Sequence, residues 1–276
     1  MSSGRGSIEE VRRLIEERVK GVKHRIIVMS GKGGVGKTMV VVNLADMLCM
    51  KGYKVSILDC DIHGPSVPKM LGVSRGELLV DGGSIRPLKA RNEIEVVSMD
   101  FLLPNEDTPV IWRGPLKARA IMEFLSQVDW GDRDFLLVDL PPGTGDEPLS
   151  IVQLMPKMDG TIIVTIPSKV SEHVVRKAVS FVRRLKLPLL GIVENMSYFI
   201  CPKCRSRYEI FGKGGGERVA RDMGTRLLAS IPLDPRLSEA CDEGFSFLSK
   251  YPNSDVYKAF DELASVILKI IQEGKG

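Results

Sequence analysis

The 276-residue sequence contains no run approaching 18 uninterrupted apolar residues, so no transmembrane helix is expected. Met1 to Gly6 lacks the apolar stretch of a secretory signal, which makes the cytoplasm the expected compartment. There is no polybasic block and no basic stripe interleaved with aromatics. With 39 basic and 35 acidic residues the formal net charge is +4, too balanced to imply nucleic-acid or membrane binding. Internal repeats and low-complexity linkers are also missing. Cysteine is sparse, with Cys49, Cys60, Cys201, Cys204 and Cys241 making an odd total of five. In a reducing compartment disulfides are a poor expectation, so the spaced pair Cys201 and Cys204 reads first as a metal or cluster ligand set.

What is present is an ordinary globular mixture, 43% apolar and 27% charged, able to bury a large core without staples. An N-terminal helical extension is expected over 1–21. Ser7 stands three residues before Glu10 at capping-box spacing, and Ile8, Val11, Leu14, Ile15 and Val19 repeat with helical period. Over 22–276 a single domain is expected. Continuous Val/Ile/Leu runs predict strands at 25–30, 54–59, 93–98, 134–139, 161–166 and 189–194, and such runs suit strands buried on both faces. Helices are expected at 36–51, 115–128, 171–186, 214–223 and 255–272. This alternation predicts a doubly wound α/β fold with a mostly parallel sheet and helices on both faces. The least regular stretch, about 196–216, carries Cys201, Cys204 and a glycine cluster, and reads as an insert.

Gly31, Lys32, Gly33, Gly34, Val35, Gly36, Lys37 and Thr38 end one expected strand and open a helix. This is the setting of a P-loop, in which glycines let backbone N–H groups turn toward phosphates at the positive end of a helix. Lys37 is expected to neutralise the β- and γ-phosphates of ATP, and the Thr38 hydroxyl to ligate Mg²⁺. Two more strand ends supply carboxylates. Asp59 and Asp61 follow one, where such sheets bind ligands, and a structural role for Asp61 in capping the turn through Gly64 and Pro65 stands beside a catalytic one. Asp139 follows another in DLPPGTGD, as a Walker B aspartate does, with Gly143 as a side-chain-free approach to the γ-phosphate. Cys201 and Cys204 could hold half of a cluster, half of a zinc site, or act as a redox pair.

KGGVGKT resembles the deviant Walker A signature of the partitioning, cell-division and nitrogenase-iron-protein class. That resemblance implies that Lys32 reaches across a dimer to the partner's phosphates, that Asp61 orients the attacking water and assists Mg²⁺, and that Asn195 reads adenine. DCDIHGPSVPKMLG (59–72), WRGP (112–115), DLPPGTGD (139–146), ENMSYFICPKC (194–204), FGKGGGE (211–217) and SIPLDPRL (230–237) occur in order. Together they resemble the Mrp/ApbC-type iron–sulfur cluster carrier ATPases over about residues 22–270. The resemblance implies ATP hydrolysis, a homodimer, and a [4Fe–4S] cluster bridging two protomers through Cys201 and Cys204 for delivery to recipient apoproteins. Two thiolates per chain cannot close a four-cysteine site, and a two-fold axis would supply the other pair. His63 stands where an aromatic is common, and Met39 where a second Thr is. Two rival readings are a spatial-organisation ATPase, using an amphipathic C-terminal helix on a membrane, and a zinc-stapled dimer without transfer.

Overall fold

The computed structural model describes residues 3–61, 64, 66–73, 80–81, 84–102, 121–122 and 124–274. WRGP (112–115), His63, Pro65 and much of the expected helix 115–128 lie outside the described residues. The strands are β1 Val22–Ser30, β2 Val55–Asp59, β3 Val80–Asp81, β4 Ser84–Ile85, β5 Leu88–Lys89 and β6 Glu95–Ser98. They continue with β7 Arg133–Asp139, β8 Gly160–Thr165, β9 Leu189–Glu194, β10 Phe199–Ile200, β11 Arg207–Tyr208 and β12 Leu227–Ser230. Eight of them form one sheet in the order β12-β9-β8-β1-β7-β2-β6-β5, while β3–β4 and β10–β11 are separate two-stranded hairpins. Every pairing in the large sheet is parallel except the β5–β6 edge.

The continuous apolar runs do what two-sided burial requires. Ile26 and Val28 of β1 join one core cluster, and Ile27 and Met29 join the other, because successive side chains point to opposite faces. On the first face the helices Lys37–Met50 and Asp255–Glu273 cover the sheet through Val40, Leu44, Leu48, Phe260, Leu263 and Ile267. The apolar stripe of the last helix is therefore committed to the core. On the second face the helix Lys169–Arg184 buries Val175, Val179 and Val182. Among the described residues no helix is long and apolar enough to cross a membrane.

All six expected strands are present, and the expected helices beyond the first are present to within two residues wherever they are described. The opening helix differs, running from Ser3 to Arg18, so Ser7 lies inside it rather than capping it. No proline interrupts that stretch, and the helix continues upstream past the capping signal. Ile15 and Val19 of this region are buried against the second face, and Arg18 Nε donates to the Ser126 carbonyl at 3.2 Å. Strand β12 and the helices Asp146–Leu154, Pro235–Glu243 and Phe247–Lys250 were not expected. Asp234 caps one of them by accepting from Arg236 N, with Pro235 in its first turn, a signal present in LDPRL.

The chain crosses from β7 to β8 over β1, so β1 has parallel neighbours built from later segments on both sides. That is the topological switch point of the sheet, where open α/β sheets bind ligands at the carboxyl ends of their strands. The loops after β1, β2, β7 and β9 all leave from this edge.

Candidate functional site

The loop from Gly31 to Gly36 joins β1 to the helix Lys37–Met50, whose N-cap is Gly36 at φ 77°, ψ 28°. A side chain is strained in that left-handed region, and a Cβ here would also collide with the Asn195 amide nitrogen. Glycine is thus required twice over at this one position. The loop is held from within by Ser30, whose Oγ donates to the Lys32 carbonyl at 2.9 Å. It is tied across the sheet as well, since Gly143 N donates to the Ser30 carbonyl at 2.8 Å.

Lys37 and Asp139 form a buried ion pair, their side chains 6% and 0% exposed. Thr38 Oγ1 donates to Asp139 Oδ2 at 2.7 Å, and Lys37 Nζ lies 3.5 Å from Thr38 Oγ1. The three residues expected to handle phosphate and metal are therefore already one cluster. Burial raises Asp139 above the usual carboxylate range, while Lys37 and Thr38 pull it back. Asp59 is fully buried next to it and is pushed up to about 7, by burial first and the Asp139 charge second. Ser98 Oγ and the Asp61 amide donate to its two oxygens at 3.0 and 3.1 Å. Strand β2 ends at Asp59, so Asp61 lies beyond it and is only partly buried. Its Oδ1 accepts from Gly64 N at 3.2 Å, the turn-capping contact that the spacing had left open. Cys60 between them is buried, and burial drives its thiol well above its ordinary value. It is inert core, as an isolated cysteine commonly is.

Asn195 follows β9 and is fully buried. Its Nδ2 donates to the Val35 carbonyl at 2.9 Å, while its Oδ1 is buried with no hydrogen-bond partner. A buried acceptor without a donor is costly in a folded protein, and this one belongs to the side chain whose amide nitrogen grips the phosphate loop. Lys32 is half-buried at the start of the loop.

The second part of the site is the β10–β11 hairpin. Cys201 precedes its turn and Cys204 lies within it, the first partly buried and the second exposed. Cys201 N donates to the Ser206 carbonyl at 2.9 Å, and Arg205 N to the Cys201 carbonyl at 2.9 Å, closing a tight loop. Cys204 Sγ lies 3.3 Å from Ser206 Oγ. Hydrogen bonding by the Ser206 side chain and backbone, and then by Cys201, lowers the Cys204 thiol to about 7. Ser206 was not anticipated. Its only sequence signal is its place two residues beyond the pair, where a hydroxyl can reach back. Tyr208 at the end of β11, and Ile210 and Phe211 just past the hairpin, stand exposed. Among the described residues no three His, Cys, Asp or Glu side chains are grouped to hold a metal, so the thiol pair has no third ligand of its own there.

A glycine cradle at a helix N-terminus, a buried lysine and threonine on a strand-end aspartate, and a doubly wound parallel sheet define a P-loop NTPase. Residues 21–268 match the ParA family model described as NUBPL iron-transfer P-loop NTPase, and the chain belongs to that family. An iron–sulfur cluster carrier protein of Saccharolobus solfataricus is 49% identical over 261 residues, covering 95% of this chain and 88% of the relative. The carrier protein of the same name from Methanocaldococcus jannaschii is 45% identical, covering 95% and 89%. Among solved structures, an Archaeoglobus fulgidus nucleotide-binding protein in complex with ADP superposes with a TM-score of 0.78 at 40% identity, over 90% of this chain and 96% of that one. The cell-division ATPase MinD of Pyrococcus furiosus follows the same fold at a TM-score of 0.68 and 27% identity, over 90% and 99%.

Proposed function

We propose that this chain is an ATP-binding and ATP-hydrolysing carrier that takes up a [4Fe–4S] cluster as cargo between two copies of itself and delivers it to recipient apoproteins. The observation that carries this reading is the coexistence, in one chain, of a built phosphate cradle and an exposed cysteine pair with one thiol lowered to about 7. A thiolate, not a thiol, ligates iron, so Cys204 is poised for it near neutral pH. The family match and the cluster-carrier relatives support the same reading.

In this reading residues 22–276 act as one ATPase domain with the cysteine segment inserted at about 196–216 and residues 1–21 as an N-terminal helical extension. Backbone N–H groups of Gly31 to Gly36 and the ammonium of Lys37 bind the phosphates of ATP. The oxygen set of Thr38 and Asp61, with Asp139 through water, suits a hard cation and would hold Mg²⁺, whose charge neutralises the phosphate oxygens. Lys37 is presented by Asp139, and arriving phosphates compete with that carboxylate for it. Asp61 orients the attacking water, and Gly143 gives the γ-phosphate a side-chain-free stretch of backbone to approach. Asn195 Oδ1, the buried acceptor without a donor, takes the adenine amino group. Lys32 reaches the phosphates bound by the other protomer, where a second positive charge favours charge developing on the transferred oxygens. Two thiols per chain need a second copy to complete four, which makes the carrier a homodimer.

The test is anaerobic reconstitution with iron and sulfide of wild type and of the Cys201→Ala/Cys204→Ala double variant. About four irons per dimer are expected, with a broad visible charge-transfer band absent from the variant. Tight binding of about one zinc per dimer with no stable iron would make the cysteines a structural staple and overturn the carrier reading.

A further inference from the structure

The segment that carries the cysteine pair leaves the sheet and returns to it beside one buried side chain. Glu194, the last residue of β9, is 1% exposed. Its Oε1 accepts from Ser197 Oγ at 2.6 Å, and its Oε2 accepts from Gly216 N at 2.5 Å. Ser197 opens the excursion and Gly216 closes it, at the start of the helix Gly215–Asp222. One carboxylate therefore ties both ends. The fit at Gly216 is close, since a Cβ there would lie 3.1 Å from Glu194 Cβ and Oε2. Charge-assisted hydrogen bonds in a buried setting are strong and directional, so the clamp is stiff.

The residues immediately after Glu194 touch the phosphate loop. Asn195 donates to the Val35 carbonyl, and a Cβ on Gly36 would sit 3.6 Å from Met196 Cε. Met196 takes a left-handed φ of 51°, a conformation that a side-chain-bearing residue holds only under constraint. The constraint comes from both sides, Asn195 N donating to Thr165 O at 2.7 Å and Ser197 N to Ile231 O at 2.9 Å. Within four residues the backbone passes from gripping the phosphate loop to gripping the cysteine excursion.

We infer that Glu194 is a positioning residue that couples the state of the phosphate loop to the Cys201–Cys204 pair. Nucleotide that shifts the Val35 carbonyl shifts Asn195 through their hydrogen bond, and the Glu194 carboxylate carries that shift to both ends of the excursion. The purpose of the coupling rests on the carrier reading, but its detection does not need a cluster.

The experiment uses the full chain, free of iron and kept anaerobic, with Mg-ADP and a non-hydrolysable Mg-ATP analogue. Alkylation rates of Cys201 and Cys204 by iodoacetamide are read by peptide mass spectrometry. Nucleotide is expected to change those rates in wild type by roughly fivefold or more, the lower end of ordinary allosteric coupling. Glu194→Ala is expected to bind Mg-ADP with unchanged affinity and to lose the response. Glu194→Gln, which can still accept from Gly216 N and donate to Ser197 Oγ, should restore much of it. If Glu194→Ala does not fold, Ser197→Ala, which removes one arm of the clamp, must weaken the response. A full response in either alanine variant overturns the inference, as does a wild-type pair indifferent to bound Mg-ADP. Iron uptake by the same wild-type preparation separates the two ideas. Iron without an alkylation response leaves the carrier and sinks the coupling, and a response without iron does the reverse.

Discussion

Lys37 and Asp139 meet where almost no solvent reaches, whereas Cys204 stands exposed on a hairpin whose two strands have two residues each. The phosphate centre is woven from four strand ends, with backbone and side-chain bonds crossing between them. The cysteine centre hangs on a short loop closed by its own local bonds. The difference follows from the two tasks. Binding phosphate rewards donors fixed in advance in a dry site, because reorganising them at the moment of binding would consume the gain. Handing a metal cluster to another protein requires thiolates that a partner can approach. One end of the molecule is built to be rigid and the other to be reached.

The largest effect should come from breaking the dry end. Lys37→Met leaves Asp139 buried without its cation, which is expected to destabilise the fold by about 3 kcal/mol and to abolish Mg-ATP binding. Urea unfolding and nucleotide titration read the two losses, and a variant as stable as wild type would mean that the pair contributes nothing. No comparable stability loss is expected from the Cys201→Ala/Cys204→Ala variant, since the hairpin lies at the surface.

A pH series sharpens the contrast. Asp59 keeps its proton up to about 7 when folded but loses it near 3.8 when unfolded. Between those values the folded state binds more protons, so this group's contribution to stability is full below the unfolded value and is lost as pH rises through the folded one. Asp59→Asn removes the slope. Denaturation between about pH 4 and pH 8 should move the difference in the variant's favour by on the order of 3 kcal/mol. Parallel curves for the two proteins would place Asp59 among ordinary ionised carboxylates.

A smaller effect is expected at Gly36. Gly36→Ala forces a Cβ into the left-handed region and against Asn195, at a cost of about 2 kcal/mol, with weakened ADP binding. Thermal unfolding and ADP titration measure it, and an unchanged melting temperature would show the loop to be slacker than its geometry. The smallest change should appear at the exposed end. In Ser206→Ala the alkylation of Cys204 should become half-maximal at a pH above about 7, moving toward the ordinary thiol value of 9.0. An unshifted profile would deny Ser206 its role.

The dry end was the more legible of the two. Strand, glycine loop and helix follow one another in sequence, so Lys37 and Thr38 declared themselves through spacing alone, and Asp139 did so by ending an apolar run. Cys201 and Cys204 were equally plain as a pair. Ser98, which donates to Asp59 from 39 residues away, left no such mark. Neither did Glu194, since a glutamate at the end of a strand is common and its partners Ser197 and Gly216 become meaningful only once the excursion returns to it. Asn195 was identified, but its grip on the Val35 carbonyl spans 160 residues and was invisible. Asp61 was placed at the right strand end while its contact with Gly64 remained one of two options.

Local chemistry accounts for what could be read beforehand. Apolar period, glycine freedom and the short range of capping and phosphate-loop geometry act over a few residues, so the order of strands and helices and the identity of the phosphate and thiol groups follow from the chain alone. Strand order in the sheet, the burial that lifts Asp59 and joins Lys37 to Asp139, and the clamp beneath the cysteine excursion depend on which distant segments come to lie side by side. Packing brings those segments together, and a charge or a hydrogen-bonding group responds to the neighbours that packing supplies rather than to its neighbours in sequence.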